Sequence, residues 1–428
     1  MLGVSVTTAS ADDAAERKLF DDAARVIETV RKGDARITLT GVGEKPLAGF
    51  KVHARLRRHA FLFGGAIALR DDVNAERDKA YREAFARLFN YATTENIMKW
   101  KPIEPERGRY AWARPDATLD WCEKNDITLK SHCLIWGEPR QGAPKWLMHK
   151  TRDEVRALMK AHVDAVMTRY KGRIRYYDVI NEPVHCHVFD EIAGIDHIEQ
   201  VMHWAHAADR KAYLIINEYN LIASARDRRR FIKLLKDRRD RGMPLDGIGI
   251  QAHSPGTTWH SPKTIVTALD ELATLGKDLH ITELTLKTEG TDITGGYRKG
   301  KWTPEAQAEY YRQLYTLCFG HAKVKAITMW AVFDSRSWLA GGGIFDREGK
   351  PKAAATMLDD LLHETWHTDV TVTTDAGGRA SLRGFKGDYD LEVRTPEGKP
   401  AWKVSRTLGA GDGGAWDIRI GATGAKKP

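Results

Sequence analysis

The architecture is set by two adjoining segments, "RDEVRALMKAHVDAVMTRYKG" (152–172) and "RYYDVIN" (175–181). The first carries apolar residues three and four positions apart and ends in a glycine, which is typical of an amphipathic helix. The second is a short run of aromatic and β-branched residues, which is typical of a buried strand. A helix that leads into such a strand predicts one unit of a parallel α/β sheet.

The same alternation recurs over about 300 residues of the chain. Long amphipathic stretches, such as residues 303–321, separate the short apolar runs. The strand candidates are "YATTEN" (91–96), "TLKSHCLIW" (128–136), "RYYDVIN" (175–181), "AYLIINEYN" (212–220), "GIGIQAH" (247–253), "LHITEL" (279–284) and "AITMWAV" (326–332). This repetition predicts an α/β fold, a (β/α)8 barrel. A doubly wound open sheet is the alternative, but the glycine-rich phosphate turn that usually follows its first strand is absent.

The two ends of the chain have a different pattern. Residues 13–33 predict a helix, and residues 34–67 predict β-hairpins, because they alternate and lack a helical period. From about Trp366 the pattern has period two and is interrupted by turn residues. We expect a helix and hairpin extension at 1–59, the barrel at 60–365, and a β module with a tail at 366–428. The two end segments are expected to build one small all-β accessory region.

Composition and charge limit the classes of partner. The formal charge is +9, and much of the basic excess lies in residues 226–241. We interpret that run as the solvated face of an outer helix, because Phe231, Leu234 and Leu235 fall at helical spacing and no nucleic-acid motif accompanies it. No apolar run reaches the roughly 18 residues of a membrane span. We expect a monomer without a nucleic-acid or membrane partner.

The cysteines and the N-terminus carry little information. Four isolated cysteines lack the spacing of a zinc site or a disulfide framework, namely Cys122, Cys133, Cys186 and Cys318. "HCH" (185–187) could be read as a metal cluster, but three adjacent side chains rarely converge on one ion, so we expect no metal and no cofactor. "ASA" before Asp12 resembles the end of a signal peptide, although a basic and a full apolar region are missing. Our hypothesis is a secreted or periplasmic protein.

Polar and aromatic residues follow nearly every predicted strand. In a parallel barrel the carboxyl ends of the strands surround the active site, so we expect these side chains to meet at one rim. Each has a structural explanation by itself, but a purely structural protein has no reason to collect all of them there. They are Glu95, Asn96, Lys99, His132, Trp136, Asn181, Glu182, Glu218, Asn220, Gln251, His253, Glu283, Trp330 and Trp338.

Glu182 and Glu283 stand out, because each follows an apolar strand. Two carboxyl groups that face each other across a barrel mouth suit glycoside hydrolysis, one as general acid and the other as nucleophile or base. These roles require a raised pKa for the acid and a low pKa for the nucleophile. His253 and Asn181 are polar neighbours that could set them, and nearby tryptophans and lysines suit a sugar.

Six blocks extend this interpretation to a family. They are "TTENIMKWKPIEPERGRYAW" (93–112), "SHCLIW" (131–136), "DVINEP" (178–183), "GIGIQAH" (247–253), "HITEL" (280–284) and "ITMWAVFDSRSWL" (327–339). In this order they resemble the motifs of glycoside hydrolase family 10, the xylanase family, over roughly residues 60–365. The resemblance implies a (β/α)8 barrel, retention of anomeric configuration and no metal in the chemistry.

The resemblance also assigns roles. It places the acid/base at Glu182 and the nucleophile at Glu283. It implies sugar contacts by Glu95, Asn96, Lys99, His132, Trp136, Asn181, Gln251, His253, Trp330 and Trp338. The implied function is double-displacement cleavage of β-1,4-linked xylan, or of a related β-glycan, as a polysaccharide or oligosaccharide. The alternative is a barrel that binds glycan without catalysis, or one with altered specificity that is exo-acting or takes a different or decorated β-glycan.

The chain departs from the family pattern after Trp136. Gly137 and Pro139 stand where the family has histidine and glutamine, and Thr285 stands where an aspartate is usual. We expect altered recognition on the glycone side, with vacated space that fits a side-chain decoration or a different sugar. The accessory region could bind carbohydrate through Trp366, Trp402 and Trp416, or it could be a structural cap.

Overall fold

The chain folds into two compact units. The structure, a computed structural model, describes residues 11–69, 75–254, 256–288, 290–409 and 414–421. Within these residues, the barrel unit holds 11–21 and 63–356, and the terminal unit holds 22–62 and 357–421. The signal-peptide-like start of the chain and its predicted tail lie outside the described residues. None of the described helices combines the length and the apolar composition that crossing a membrane would require.

The first elements belong to the N-terminal part. Helix α1 (Ala11–Val26) passes through one π-helical turn (Ile27–Arg31) into strand β1 (Lys32–Thr40), and β2 (Lys51–His59) follows. Because β1 and β2 lie in different sheets, the predicted hairpin between them is wrong. Alternation predicts that a segment is a strand, but it does not say which strand becomes its partner.

Eight parallel strands then close into a barrel, which confirms the predicted fold and excludes the open sheet. Neighbours in the barrel are neighbours in sequence, and the last strand closes against the first. The strands are β3 (Leu62–Ile67), β4 (Tyr91–Thr94), β5 (Thr128–Trp136), β6 (Tyr176–Asn181), β7 (Tyr213–Glu218), β8 (Gly247–Gln251), β9 (Asp278–Leu284) and β10 (Val324–Met329). Seven of them lie within or overlap the predicted strand segments.

Strand β3 is the exception, because its residues lay in the predicted hairpin segment. All of its residues are buried, so it lacks the half-exposed alternation that marks a surface strand. Its Gly65 lies so close to Phe85 and Phe89 that a Cβ would be 3.0 Å from each ring. The glycine therefore allows the aromatic side chains to pack directly on the strand.

Helices connect the barrel strands, and the last α-helix follows strand β10. They are α2 (Ala75–Leu88), α3 (Trp100–Ile103), α4 (Ala113–Lys124), α5 (Arg152–Arg169), α6 (Val188–Ala193), α7 (His197–Ala208), α8 (Ala225–Arg239), α9 (Pro262–Ala273), α10 (Pro304–Phe319) and α11 (Ala353–Asp360). Helix α5 begins with a capping box, in which Thr151 and Glu154 satisfy each other's backbone N–H groups. This cap explains why the helix quoted first begins where it does.

Helix α8 carries most of the basic run at 226–241. Phe231 and Leu235 are fully buried, so the helix packs through an apolar stripe. Several of its basic side chains pair with carboxylates: the exposed Lys233 Nζ lies 2.7 Å from Asp237, and the buried Arg228 Nε lies 2.6 Å from Glu271. This arrangement agrees with an outer helix that carries a solvated, ion-paired face.

The terminal unit contains two sheets. Its C-terminal strands are β11 (Asp369–Thr373), β12 (Arg379–Phe385), β13 (Gly387–Arg394), β14 (Pro400–Leu408) and β15 (Ala415–Arg419). The order is β12-β1-β15 in one sheet and β11-β2-β13-β14 in the other. Among the described strands, β1 and β2 therefore pair only with C-terminal ones. One β region built from both chain ends is therefore confirmed.

The tryptophans of this region contribute mainly to its interior. Trp416 is buried, packs on Tyr389 at 5.3 Å between ring centroids, and donates its indole N–H to the Thr407 carbonyl at 3.0 Å. Trp366 is buried as well, whereas Trp402 is half-buried. Stacking of sugars on Trp366 and Trp416 is thus a wrong expectation, since their faces are covered by protein.

Candidate active site

The strand register brings the predicted polar residues to one level of the barrel rim. Asn181 of β6 is paired with Trp136 on β5 and with Asn217 on β7. On the opposite arc, Gln251 of β8 is paired with Glu283 of β9. Because all strands are parallel, these side chains belong to the same carboxyl-terminal mouth.

Glu182, directly after β6, is held by three donors. The Trp136 indole Nε1–H donates to Oε2 at 2.8 Å, and the Gln251 amide Nε2 donates to Oε1 at 2.9 Å. The Cys186 thiol lies 3.3 Å from Oε2 and is oriented to donate to it. Both carboxyl oxygens are therefore fixed before any ligand arrives.

The backbone at Glu182 turns sharply out of the strand. Its φ is +57°, a left-handed conformation that few non-glycine residues adopt. The turn closes with a 2.8 Å hydrogen bond from the Cys186 N–H to the Glu182 carbonyl. Such a conformation costs about 1–3 kcal/mol and persists only where the surroundings enforce it. Strain at this position is expected of a residue that must leave the sheet to act on a ligand.

Glu283 is buried within β9, and both of its oxygens accept hydrogen bonds. Asn217 Nδ2 donates to Oε1 at 2.7 Å, and His253 Nε2 donates to Oε2 at 3.0 Å. Burial alone would raise the pKa of Glu283. The hydrogen bond from His253 and the charges of the His132 and His253 imidazoles outweigh burial, so the pKa of Glu283 lies below its usual range. Glu283 is thus held as a carboxylate, the form that a nucleophile requires.

Three amides connect the two glutamates. Asn217 Nδ2 also donates to Asn181 Oδ1 at 2.8 Å, and Gln251 Nε2 lies 3.5 Å from the same oxygen. The chain of contacts therefore runs from Glu182 through Gln251, Asn181 and Asn217 to Glu283. Any shift of one carboxyl group disturbs the other through this network.

His132 is fixed from below by a buried ion pair. Its Nδ1 lies 2.9 Å from Asp178 Oδ2, and Lys130 Nζ lies 2.7 Å from the same oxygen. Burial raises the pKa of Asp178, but the charge of Lys130 and the contacts with His132 lower it more, so the carboxyl group stays ionised. The aspartate thereby sets the orientation of the imidazole.

Aromatic side chains form the rim. Trp330 is almost fully buried and lies edge-on to His132 at 5.1 Å, whereas Trp338 is 57% exposed and lies edge-on to His253 at 5.2 Å. An exposed indole beside a buried one offers a face on which a sugar can stack.

The loop after β4 supplies the remaining predicted contacts. Lys99 Nζ lies 4.7 Å from the Trp136 ring centroid and donates to Asn96 Oδ1 at 2.7 Å. Glu95 is half-buried, and its charge acts on the Tyr81 hydroxyl in the barrel. Lys99 and Asn96 are therefore brought to the Trp136 side of the mouth.

Sequence reasoning missed Asn217 and the contact of Cys186. A signal for Asn217 was available, because Ile-Asn-Glu at 180–182 recurs at 216–218 on the next strand. The sequence of the "HCH" segment does not show that its three side chains point to different partners. His185 faces Glu218 and His187 faces Asp190, while Cys186 faces Glu182. No group of three metal-ligating side chains occurs in the described part of the chain.

The loop after Trp136 corrects one expectation. A Cβ at Gly137 would lie 2.7 Å from the Cys186 carbonyl oxygen, so the missing side chain leaves no vacated space. The glycine instead allows the loop to approach the turn that carries Glu182. A histidine at this position would push that turn away.

The chain is similar to known proteins in sequence and in fold. The family model "Glycosyl hydrolase family 10" matches residues 53–360. "Endo-1,4-beta-xylanase B" of Thermotoga neapolitana is 32% identical over 304 residues, covering 66% of this chain and 84% of that protein. "Endo-1,4-beta-xylanase 2" of Arabidopsis thaliana is 26% identical over 375 residues, covering 87% of this chain and 33% of that protein, so the chain spans a third of its length. The crystal structure of xylanase 10B from Thermotoga petrophila RKU-1 in complex with xylobiose has a TM-score of 0.63 and 27% identity, covering 72% of this chain and 95% of that chain.

Proposed function

The chain belongs to glycoside hydrolase family 10, and we propose on this premise that it cleaves β-1,4-linked xylan, or a related β-glycan, with retention of configuration. The observation that carries the proposal is the pair of carboxyl groups at the barrel mouth. Glu182 is half-buried and faces the opening, while Glu283 is buried and ionised. Two carboxyl groups in different environments are what a double displacement requires.

In the first step the Glu283 carboxylate attacks the anomeric carbon of the bound sugar. Glu182 donates its proton to the glycosidic oxygen, so the C–O bond breaks and the leaving chain departs as an alcohol. In the second step Glu182, now a carboxylate, takes a proton from water. The resulting hydroxide displaces Glu283, and the free sugar leaves with its original configuration.

The network around the carboxyl groups serves both steps. Asn217 and His253 stabilise the charge on Glu283 before attack and after release. Asn181 accepts from Asn217 with its Oδ1, which leaves its Nδ2 for the sugar 2-hydroxyl, where hydrogen bonds strengthen in the transition state. Because strands hold these groups, their orientation is set before binding.

The test is a panel of substrates with analysis of the first product. Linear β-1,4-xylan, β-1,4-glucan, β-1,4-mannan and aryl β-xylobiosides should separate polymer preference from the ability to break a β-linkage. We expect activity on xylan, and proton NMR at early times should show the β-anomer. A first product in the α-configuration would refute retention, and no hydrolysis of any β-glycan would refute the proposed function.

A crystal structure with a bound oligosaccharide provides a second test. Retaining enzymes hold the two carboxyl groups about 5–5.5 Å apart, whereas inverting enzymes hold them about 6.5–9.5 Å apart. We expect the shorter separation between Glu182 and Glu283.

A further inference from the structure

A cavity of about 370 Å³ lies between the loops that follow β4 and β5. Its volume is near the lower end of the roughly 300–1,000 Å³ of small-molecule sites, which suits one sugar ring. It is lined by Lys101, Pro105, Glu106, Arg107, Pro144, Lys145 and Trp146. None of these residues was assigned a role above, and we call this cavity the loop pocket.

The two loops are tied both to each other and to the active site. The Lys101 ammonium group donates a hydrogen bond to the Arg140 carbonyl, and this bond joins the loop after β4 to the loop after β5. Lys99, in the loop after β4, contacts Trp136, the last residue of β5 from which the second loop starts. The loop pocket is therefore built from the segments that also form the Trp136 side of the catalytic mouth.

The lining is cationic. It contains three basic side chains and one acidic side chain, and Glu106 lies 2.5 Å from Arg109, which neutralises it. Arg107 and Lys145 are exposed, and neither lies within ion-pair distance of a carboxylate in the described part of the chain, although the charge of Arg107 also acts on the exposed Glu154. Unpaired cations at the edge of a concave site attract a carboxylate.

The floor of the pocket is suited to a sugar ring. Trp146 is half-buried, its indole N–H donates to the Glu104 carbonyl at 3.2 Å, and it packs edge-on against Trp100 at 6.0 Å. The indole is therefore held in place, with Pro105 and Pro144 beside it. A fixed aromatic surface next to free cations combines stacking with charge recognition.

We propose that the loop pocket binds a uronic acid substituent carried by the β-glycan backbone. The aromatic floor contacts the sugar ring, and Arg107 and Lys145 pair with its carboxylate. This inference rests on the proposed function, because it concerns the substrate of the same site. It replaces the idea of vacated space at Gly137 with a specific location for a decoration.

The test compares two forms of one polymer. Glucuronoxylan and the same sample after chemical reduction differ only at the carboxyl groups, which become uncharged primary alcohols. We expect kcat/KM to be about three- to tenfold higher on the acidic form at low salt, and the difference to shrink in 0.5 M NaCl. The double variant Arg107→Ala/Lys145→Ala should lose the preference while cleaving linear xylooligosaccharides as the wild type does.

A matched control removes the same charge elsewhere. The double variant Arg229→Ala/Lys263→Ala changes exposed cations on α8 and α9, so it should retain the preference. Equal rates of the wild type on the two polymers, or a preference that survives in Arg107→Ala/Lys145→Ala, would overturn the assignment. Loss of the preference in the control would also overturn it, because net charge alone would then explain the effect.

Binding separates this proposal from the proposed function. Calorimetry with the Glu283→Gln variant should give a three- to tenfold lower Kd for a uronic-acid-substituted oligosaccharide than for its carboxyl-reduced form. If no polymer is hydrolysed, the proposed function fails, and this binding experiment still decides the loop pocket. If hydrolysis proceeds and the Kd values are equal, only the loop pocket fails.

Discussion

The tripeptide Ile-Asn-Glu occurs twice at the barrel rim, at 180–182 where β6 ends and at 216–218 within β7. Its isoleucines and asparagines lie side by side in register. The first glutamate, Glu182, leaves the strand with a φ of +57° and is half-buried at the mouth. The second, Glu218, stays within the strand and is completely buried. The same tripeptide thus places one carboxyl group where a ligand can reach it and the other where protein surrounds it.

Glu218 is bound to the turn that carries Glu182. It accepts from the Val184 N–H at 2.7 Å and from the Tyr219 N–H at 2.8 Å, and His185 Nδ1 lies 2.9 Å away. Burial raises the pKa of Glu218, although these hydrogen bonds oppose the shift. The comparison teaches that the backbone after the motif, rather than the motif itself, decides whether a glutamate meets substrate or supports one that does.

The largest expected effect comes from Glu283, the proposed nucleophile that works with Glu182. Glu283→Ala should lower kcat by about 10⁴–10⁶-fold, because the covalent intermediate cannot form. Azide should restore part of the activity on aryl glycosides and give a glycosyl azide of inverted configuration. A variant that azide does not rescue, while it remains folded by circular dichroism, would contradict the role of nucleophile.

Glu182 should come next, and its effect should depend on the leaving group. Glu182→Ala should lower kcat on polymers by about 10²–10⁴-fold, the usual contribution of general acid catalysis. Aryl glycosides with good leaving groups should be affected much less, because they need little protonation. Equal losses of activity on polymers and on aryl glycosides would contradict the assignment of Glu182 as the general acid.

Glu218→Gln tests whether Glu218 supports the turn that carries Glu182. The amide keeps the shape but must place an N–H group against a backbone N–H, so the free energy of unfolding should fall by about 1–3 kcal/mol. Activity on polymers should fall by about tenfold, and aryl glycosides should again be affected less. If the loss equals that of Glu182→Ala, Glu218 acts in the chemistry and the comparison fails.

Substitutions of His253 should have the smallest effect, and they test which groups keep Glu283 ionised. Its hydrogen bond lowers the pKa of Glu283, which is needed as a carboxylate, so activity is lost only as pH falls through that low value. In His253→Ala the pKa of Glu283 should rise, and the acid limb of the kcat/KM profile should move to higher pH. His253→Gln retains a neutral donor and should move the limb less. An unchanged limb in His253→Ala would show that other groups keep Glu283 ionised.

The sequence contained most of the barrel because each buried strand is a short apolar run between turn residues. It missed β3, whose residues are all buried and therefore show no alternation. Both glutamates could be found, since a carboxyl group directly after an apolar strand is costly to bury. Asn217 escaped because its role depends on the register between β6 and β7, which neither strand reveals alone. The same limit explains the wrong hairpin between β1 and β2.

The pairing of the terminal unit has a consequence during synthesis. Strands β1 and β2 find their sheet partners only among β11, β12, β13 and β15. About 310 residues separate the end of β2 at His59 from the start of β11 at Asp369, which at about 5–20 residues per second is about 15–60 s of translation. During that time β1 and β2 are outside the ribosome with unpaired edges, because the strands that they pair with have not been synthesised. The barrel can therefore fold before β1 and β2 find their partners. We expect chaperone binding and aggregation of the nascent chain to involve these two N-terminal strands.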